Sequence, residues 1–302
     1  MQENTKINQE LQRTKFLNTA FTVIKYTFLV VMAVFILLPF YWMLATSVKS
    51  TAEISSGVVN FFPKSFELSN YPTAIETAQL GRAFINTLIV AFFSTTLGTL
   101  VAVFSAFALA RLNFKGREVV FMILLATMMI PGEMMVLTNY VTVTAVLGWG
   151  EAIGPNAPSY QVGPYLSMIV PFLVSVFHIY LLRNTFRQIP DELYLAAKVD
   201  NTSDFKYLTK IMLPMASSSI ITIVIMKIIG AWNSFVWPNL VGGKRHKLIT
   251  AQLRSSFTDG EGQTLYNQQM AAVVVVVVPL MILFIVFRKY IMRGISRGGT
   301  KG

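Results

Sequence analysis

Six long apolar stretches alternate with polar segments along the chain. An α-helix needs about 20 mostly apolar residues to span a bilayer, and the six stretches meet or approach that length. They cover roughly residues 23–46, 84–110, 119–147, 166–182, 215–237 and 270–287. The alternating segments of about ten residues that are typical of a transmembrane β-barrel do not occur. The pattern therefore predicts an all-α polytopic membrane protein with six transmembrane helices.

The composition agrees with this prediction. Of the 302 residues, 54% are hydrophobic and only 13% are charged, whereas charged residues make up roughly 25% of soluble domains. These values exclude a disordered chain, a coiled coil and an ordinary soluble domain. Cysteine is absent, which leaves no disulfide framework and no thiol nucleophile. His178 and His246 are too few and too far apart for a metal site.

The basic residues predict the orientation in the membrane. The formal net charge is +11, and 17 of the 25 Lys and Arg residues lie on one side of the predicted spans, 7 lie on the other, and Lys227 lies within a span. The positive-inside rule then places both termini in the cytoplasm, and the charge does not indicate nucleic acid binding. The expected location is a prokaryotic cell membrane. The predicted divisions are a tail (1–22), a permease domain (23–290) with an inner loop (183–214), and a second tail (291–302).

The inner loop carries the signals of a short helix at its centre. Pro190 cannot continue the preceding helix, and the acidic residues Asp191 and Glu192 suit a helix N-terminus. Three apolar residues then recur at spacings i, i+3 and i+4, which predicts one small apolar face. They are Leu193, Ala196 and Ala197.

A turn and a second helix follow in the same loop. Asn201 favours a left-handed helix stop. Thr202 and Ser203 can cap a helix over Phe205–Met212, which Pro214 ends at the membrane. A face of small apolar residues suits a groove on a partner protein. The alternative is a helix that lies on the lipid surface.

This loop resembles the EAA loop of ABC import permeases. The family pattern reads Glu-Ala-Ala, three residues, Gly, nine residues, Ile, one residue, Leu-Pro. Leu195 stands at the position of the family glutamate and Asn201 at that of the glycine. The matching positions are Ala196, Ala197, Ile211, Leu213 and Pro214.

Further stretches are similar to the carbohydrate-type permeases, in particular the second membrane subunit of maltose-like importers. The resemblance begins near residue 20 and covers nearly the whole chain. The outer segment 148–165 is roughly ten residues longer than the family pattern, so its role is not inherited. The stretches that carry the resemblance are Pro39–Met43, Ser47–Lys49, Ser69–Tyr71, Asn86-Thr87, Ala106–Arg111, Phe114–Gly116, Met129–Pro131, Trp232–Phe235 and Gly294 with Gly298–Gly302.

The resemblance implies a type I ABC importer permease fold and a set of partners. They are a second permease subunit, two cytoplasmic ATPase subunits and an extracellular solute-binding protein. ATP and Mg²⁺ would be bound by the ATPase subunits, while this chain would bind no cofactor and hold no catalytic residues. The phosphate-binding loop of nucleotide-binding proteins is indeed absent from its sequence. The residues that the resemblance assigns to ATPase coupling are Glu192, Leu195, Ala196, Ala197, Asp200, Asn201, Ile211, Leu213 and Pro214.

A few polar residues in or near the spans are candidates for the substrate pathway. Lys227 lies near the middle of the fifth span, where a charge costs about 2.5–3.5 kcal/mol on insertion scales. It could contact an anionic or hydroxyl-rich solute, form a buried structural pair, for example with Glu133, or hydrogen-bond to a neighbouring helix. Glu133, which follows a kink expected at Pro131-Gly132, is itself a candidate for the pathway, or it lies near the outer boundary of the membrane. His178 could contact solute or form a packing hydrogen bond. Trp232 and Asn233 combine a stacking face with an amide, although Trp at a membrane boundary is also an ordinary anchor.

We therefore predict a membrane subunit of an ATP-driven importer, with oligosaccharides as the expected solutes. An ion-coupled secondary transporter or a channel subunit is the alternative, which would favour ionisable residues in several spans. A membrane scaffold without transport is a third possibility, and it makes no use of the helix–turn–helix loop.

Overall fold

The computed structural model describes residues 2–151, 161–255, 257 and 264–296. The centre of the long outer segment 148–165, the stretch Thr258–Gly262 and the terminal Gly298–Gly302 lie outside these residues. The described chain is helical. In chain order, the α-helices are α1 (Gln2–Ser47), α2 (Thr51–Ser55), α3 (Asn70–Thr77), α4 (Leu80–Arg111), α5 (Arg117–Thr127), α6 (Val136–Val141), α7 (Gly163–Ile169), α8 (Val176–Arg187), α9 (Asp191–Val199), α10 (Asp204–Tyr207), α11 (Leu213–Met215), α12 (Ser217–Asn233), α13 (Val236–Val241), α14 (Ile249–Ser255) and α15 (Tyr266–Ser296).

Three helices are long and apolar enough to cross a bilayer without interruption. They are α1 over Leu17–Ser47, α4 over its whole length, and α15 over Tyr266–Lys289. Three further spans consist of helix pairs, each bent by more than 40° at a short break. Counting each bent pair as one span gives the six spans that the sequence predicts.

Three of the six spans are divided by bends, one of them at the kink expected at Pro131-Gly132. The predicted span 119–147 is broken between α5 and the 3₁₀ turn Gly132–Met135, with a bend of 87°. Pro131 stands at this break, where its ring and missing N–H cannot continue a helix. The predicted span 166–182 is bent by 46° between the 3₁₀ turn Val170–Phe172 and α8.

The third bend lies where the inner loop enters the fifth span. The chain runs from α10 through a π turn, Leu208–Met212, into α11, and then bends by 81° at Ala216 into α12. Pro214 was expected to end the loop helix. It lies instead in the first turn of α11, a position that proline tolerates, so the bend comes two residues later.

Helix α4 is the centre of the bundle. It packs against α8 and α12, while α1 packs against α15. The small residues Ala102, Ala106 and Ala110 of α4 are buried, which lets neighbouring helices approach closely. We call the end of the bundle that carries α9 the inner end, following the charge-based prediction, and the opposite end the outer end.

A buried amide network joins three elements at the outer end. The Asn70 side-chain amide donates to the carbonyls of Ser47 (3.0 Å) and Lys49 (2.9 Å). Asn267 of α15 donates to the Asn70 side-chain oxygen (3.1 Å) and to the Thr51 hydroxyl (3.0 Å). Buried polar groups need such partners. The network therefore fixes the end of α1 against α3 and α15.

Candidate coupling surface and membrane cavity

The turn between α9 and α10 has the geometry that the sequence predicts. Asn201 adopts a left-handed conformation with φ of 50°. The Asn201 N–H donates to the Lys198 carbonyl (3.1 Å), and the Thr202 N–H donates to the Ala197 carbonyl (2.8 Å). This pair of hydrogen bonds is the Schellman motif, which ends a helix sharply. Asparagine thus adopts the backbone conformation that glycine adopts most readily.

Side chains brace the two helices against each other across this turn. The Ser203 hydroxyl accepts the Lys206 N–H (3.3 Å) and caps α10. The Tyr194 hydroxyl donates to the Asp204 carboxylate (2.7 Å), and the Lys198 ammonium lies 2.7 Å from the same oxygen. The hydrogen bond to Asp204 raises the pKa of Lys198. The helix pair is therefore a preformed unit.

A buried arginine fastens this unit to the inner end of the bundle. Arg111, the last residue of α4, donates to the Asp191 carboxylate at the start of α9. Its guanidinium also donates to the carbonyls of Phe186 (2.8 Å) and Ile189 at the end of the preceding helix. The sequence marks Arg111 only as an inner positive charge. Its role in positioning α9 depends on contacts between residues about 80 positions apart.

A second buried arginine fixes α8 beside the same surface. Arg183 donates to both carboxylate oxygens of Glu118 (2.7 and 2.8 Å) and to the Leu109 carbonyl (3.2 Å). Its guanidinium lies 3.7 Å from the centre of the Phe121 ring, which adds a cation–π contact. Helices α4, α5 and α8 are thereby joined at the inner end.

The exposed side of α9 differs from the predicted apolar face. Ala197 is only 5% exposed and packs in the inner core with Tyr207 and Met212. The prediction that Ala197 lies on the partner-facing side is therefore wrong. Leu193 is only moderately exposed, whereas the residues at spacings i, i+3, i+4 and i+7 on the opposite side of the helix point outwards. This outer stripe consists of Glu192, Leu195, Ala196 and Val199.

Apolar side chains dominate the outer stripe. Leu195 is 63% exposed and Val199 is 82% exposed, and Phe205, across the turn, is 64% exposed. The other predicted coupling residues lie elsewhere in the loop. Asp200 is exposed at the C-terminal end of α9, Ile211 and Leu213 pack partly buried against the inner core, and Pro214 is exposed.

A cavity of about 360 Å³ lies within the membrane part of the bundle. Lys227 of α12 and His178 of α8 both line it, with the hydroxyl groups of Ser94, Ser175 and Ser234. The remaining lining is mainly apolar. Such a mixture, apolar walls with a few convergent polar groups, is typical of small-molecule sites. Two of the predicted pathway residues are therefore brought together.

The other three pathway candidates do not line this cavity. Glu133 is exposed in the 3₁₀ turn of the third span and has no ion pair with Lys227, so the predicted pairing of these residues is wrong. Trp232 is buried with its ring edge-on to Phe84, at 5.6 Å between ring centres. Asn233 is exposed.

Trp237, which the sequence does not single out, lines the cavity in place of Trp232. Its indole N–H donates to the Ser167 carbonyl (2.9 Å), which joins α13 to α7. A signal for it was available, because Trp237 lies two residues after the Trp232–Phe235 stretch and directly before Pro238, at the end of the predicted fifth span.

The outer loop over residues 242–249 closes the cavity at its outer side, where Leu248 is part of the lining. Two polar residues of α4 hold this loop. The Asn86 amide donates to the carbonyls of Arg245 and Lys247 (both 3.1 Å), and the Thr87 hydroxyl accepts the Ile249 N–H (2.9 Å). The Asn86-Thr87 pair thus holds this loop, which we call the roof of the cavity, against α4.

Glu151 holds the same loop from the other side. Its carboxylate accepts the backbone N–H groups of Lys244 (2.6 Å) and Arg245 (3.1 Å), and His246 Nδ1 lies 3.3 Å from it. Burial lowers the pKa of His246, although the nearby Glu151 carboxylate acts in the opposite sense. Glu151 belongs to the long outer segment 148–165, which therefore contributes to the roof.

Gly243 offers a test of this arrangement. Its φ is +57°, and a methyl group at this position would overlap the Glu151 carboxylate. We expect Gly243→Ala to lower the free energy of unfolding by about 1–2 kcal/mol for the left-handed backbone, with a further loss because Glu151 is displaced. Gly57→Ala is the matched control, since its φ is +69° but no atom lies within 4 Å of the added methyl group.

Thermal unfolding of the two purified variants measures the difference. In a Glu151→Ala background, compared with Glu151→Ala alone, Gly243→Ala should cost less than it does in the wild-type background, because the carboxylate is gone and only the Cβ atom remains close (2.8 Å). Equal destabilisation by Gly243→Ala and Gly57→Ala would contradict the role of Glu151 in holding the loop.

Comparisons with known proteins agree on one family. The family model described as "Binding-protein-dependent transport system inner membrane component" matches residues 95–297. The diacetylchitobiose uptake system permease protein NgcG of Streptomyces coelicolor is 27% identical over 279 residues, which cover 92% of this chain and 88% of the relative. The arabinooligosaccharides transport system permease protein AraQ of Bacillus subtilis is 25% identical, with coverage of 91% and 94%.

A solved structure has the same fold. It is a chain in the crystal structure of a bacterial ABC transporter involved in the import of the acidic polysaccharide alginate. The TM-score is 0.76 with 21% sequence identity, and the match covers 89% of this chain and 96% of that chain. At this level of identity the likeness concerns the arrangement of the helices.

Proposed function

Because the chain belongs to the family of binding-protein-dependent transport system inner membrane components, we propose that it is a permease subunit of an ATP-driven oligosaccharide importer. This membrane-spanning subunit transmits the closure of the two ATPase subunits to the translocation pathway, and it does so through the loop 190–214. The names of the relatives support the sugar class, since they include uptake systems for diacetylchitobiose and arabinooligosaccharides. The family does not favour an ion-coupled transporter or channel.

The observation that carries this proposal is the helix pair α9–α10. It is internally braced, joined to the end of α4 by Arg111, and presents an exposed apolar stripe that the described residues of the chain leave uncovered. An amphipathic helix with apolar residues at this spacing fits a groove on a partner protein. We therefore assign the outer stripe to the contact with one ATPase subunit.

The structure of the helix pair accommodates both departures from the family pattern. Leu195, in place of the family glutamate, is the centre of the apolar stripe, so docking depends more on apolar burial and less on a charged contact. Asn201, in place of the family glycine, preserves the left-handed turn. Both substitutions are compatible with docking.

The remaining partners follow from the proposed assembly. A second permease subunit pairs with this chain in the membrane, and an extracellular solute-binding protein delivers the sugar at the outer end. ATP and Mg²⁺ are bound by the two ATPase subunits, and this chain supplies no catalytic group and binds no cofactor. The distribution of Lys and Arg supports an orientation with both termini in the cytoplasm, and the bacterial origin of the relatives supports a prokaryotic cell membrane location.

Site-specific cross-linking tests the proposal cleanly because the chain has no cysteine. A benzophenone–maleimide probe attached to Leu195→Cys should link this chain to an ATPase subunit in membranes, with a yield that changes on ATP binding. The same probe at Lys210→Cys, which is exposed but lies off the stripe, is the control. Transport by the purified chain alone, driven by a proton gradient, would refute the proposed function.

A further inference from the structure

Lys227, which is half-buried, differs from the buried cations Lys49, Arg111 and Arg183 of the described chain. Arg111 and Arg183 each bind a carboxylate, and the Lys49 ammonium donates to the Asn60 carbonyl (2.6 Å) beside the Trp42 ring. None of the ion pairs or hydrogen bonds within the described residues includes the Lys227 ammonium. The three buried cations therefore have partners within the described fold, whereas the Lys227 ammonium has none there and lines the cavity.

The cavity offers no compensating negative charge. Its described lining contains Lys227 and His178 but no Asp or Glu side chain. A lone charge at the centre of a membrane span is costly and normally finds a partner or water. A site with an unpaired ammonium is therefore complementary to an anion that enters it.

The surroundings favour a sugar that carries this anion. Hydroxyl groups of Ser94, Ser175 and Ser234 share the cavity with Lys227, and Trp237 provides an aromatic surface. His178 also lines the cavity, and its Nδ1 atom is buried without a hydrogen-bond partner in the described structure. The volume of about 360 Å³ falls within the range of small-molecule sites.

Gly98 of α4 keeps this position open for the ammonium. A methyl group on Gly98 would collide with the Lys227 Nζ and would lie 3.1 Å from the Leu173 carbonyl oxygen. Glycine at this one point of α4 therefore allows Lys227 to extend between helices into the cavity. The arrangement offers a second way to disturb the ammonium without removing its charge.

We propose that Lys227 binds an acidic group of the transported solute, so that the solute class is an anionic sugar. The inference rests on the proposed importer function and specifies its substrate. The acidic group is a carboxylate, sulfate or phosphate ester, since each of these anions pairs with an ammonium through charged oxygens.

Uptake into proteoliposomes tests this inference on the whole complex with its solute-binding protein. The probes are the neutral sugars cellobiose and xylobiose, and the anionic sugars digalacturonate, glucose 6-sulfate and glucose 6-phosphate. We expect the wild-type complex to import one of the anionic sugars. Lys227→Met should reduce this uptake by at least about tenfold, which corresponds to 1.4 kcal/mol, while Lys227→Arg should retain most of it.

The outcomes separate this inference from the proposed function. Import of neutral sugars only, or full anionic-sugar uptake by Lys227→Met, would overturn the anionic-sugar inference and leave the importer function standing. A wild-type complex that imports none of the anionic probes would overturn the anionic-sugar inference, and the cross-linking of Leu195→Cys to an ATPase subunit then decides whether the importer function stands. If Lys227→Met fails to assemble, Gly98→Ala decides, because a displaced ammonium should lower uptake of the anionic sugar and unchanged uptake would count against its role.

Discussion

Ala197→Trp should separate ATP hydrolysis from uptake by displacing α9 from the bundle. Ala197 is 5% exposed and packs in the inner core, so an indole ring cannot fit without moving the helix. Overpacking of this kind costs about 1–3 kcal/mol. We expect a lower thermal midpoint of the isolated chain, and in the assembled complex we expect ATPase activity that no longer drives sugar uptake.

Ala196→Trp is the matched control because Ala196 is the neighbouring alanine on the outer stripe. Its ring points away from the core, so the thermal midpoint of the isolated chain should be unchanged. Under the proposed docking, the variant still fails to couple, since the ring enlarges the stripe itself. Normal uptake by Ala196→Trp would contradict the assignment of the outer stripe to ATPase docking.

Arg111→Met should also impair coupling, by releasing the start of α9 from α4. The substitution keeps an apolar stem but leaves the carbonyls of Phe186 and Ile189 without their donor. Each buried group that loses its partner costs about 1–3 kcal/mol. We expect slower uptake at an unchanged number of assembled complexes, and faster hydrogen exchange of the backbone amides of α9.

Lys210→Met is the control for the loss of one inner positive charge, since Lys210 is exposed on the same loop. It should leave both uptake and exchange close to wild-type values. Equal effects of Arg111→Met and Lys210→Met would show that net charge, rather than the position of α9, determines coupling.

The local features of the inner loop could be predicted because short-range signals encode them. Pro190, Asn201 and Ser203 act on their own backbone or on residues within a few positions. The orientation of α9 could not be predicted in the same way. Apolar spacing identifies two possible faces, and only the tertiary contacts of Ala197 determine which face packs against its own bundle.

Long-range contacts explain what the sequence leaves open in the membrane part. One alternative paired Lys227 with Glu133, but Glu133 follows the 87° break of the third span and does not line the cavity. Glu151 contacts residues more than 90 positions away in a loop with no recognisable pairing signal. The bend near residue 173 had a local sign in Pro171, which lies in the preceding 3₁₀ turn.

The break in the fourth span divides it into two helical segments, α7 with its 3₁₀ turn and α8, which are attached to different parts of the bundle. Helix α8 is tied to the inner end through Arg183, whereas α7 is tied to α13 by the hydrogen bond from Trp237 to Ser167. Only residues 173–175 connect the 3₁₀ turn after α7 with α8, and two of these residues line the cavity. A rotation of α8 relative to α7 would therefore move the cavity wall at residues 174 and 175 before it affects the outer loop over residues 242–249.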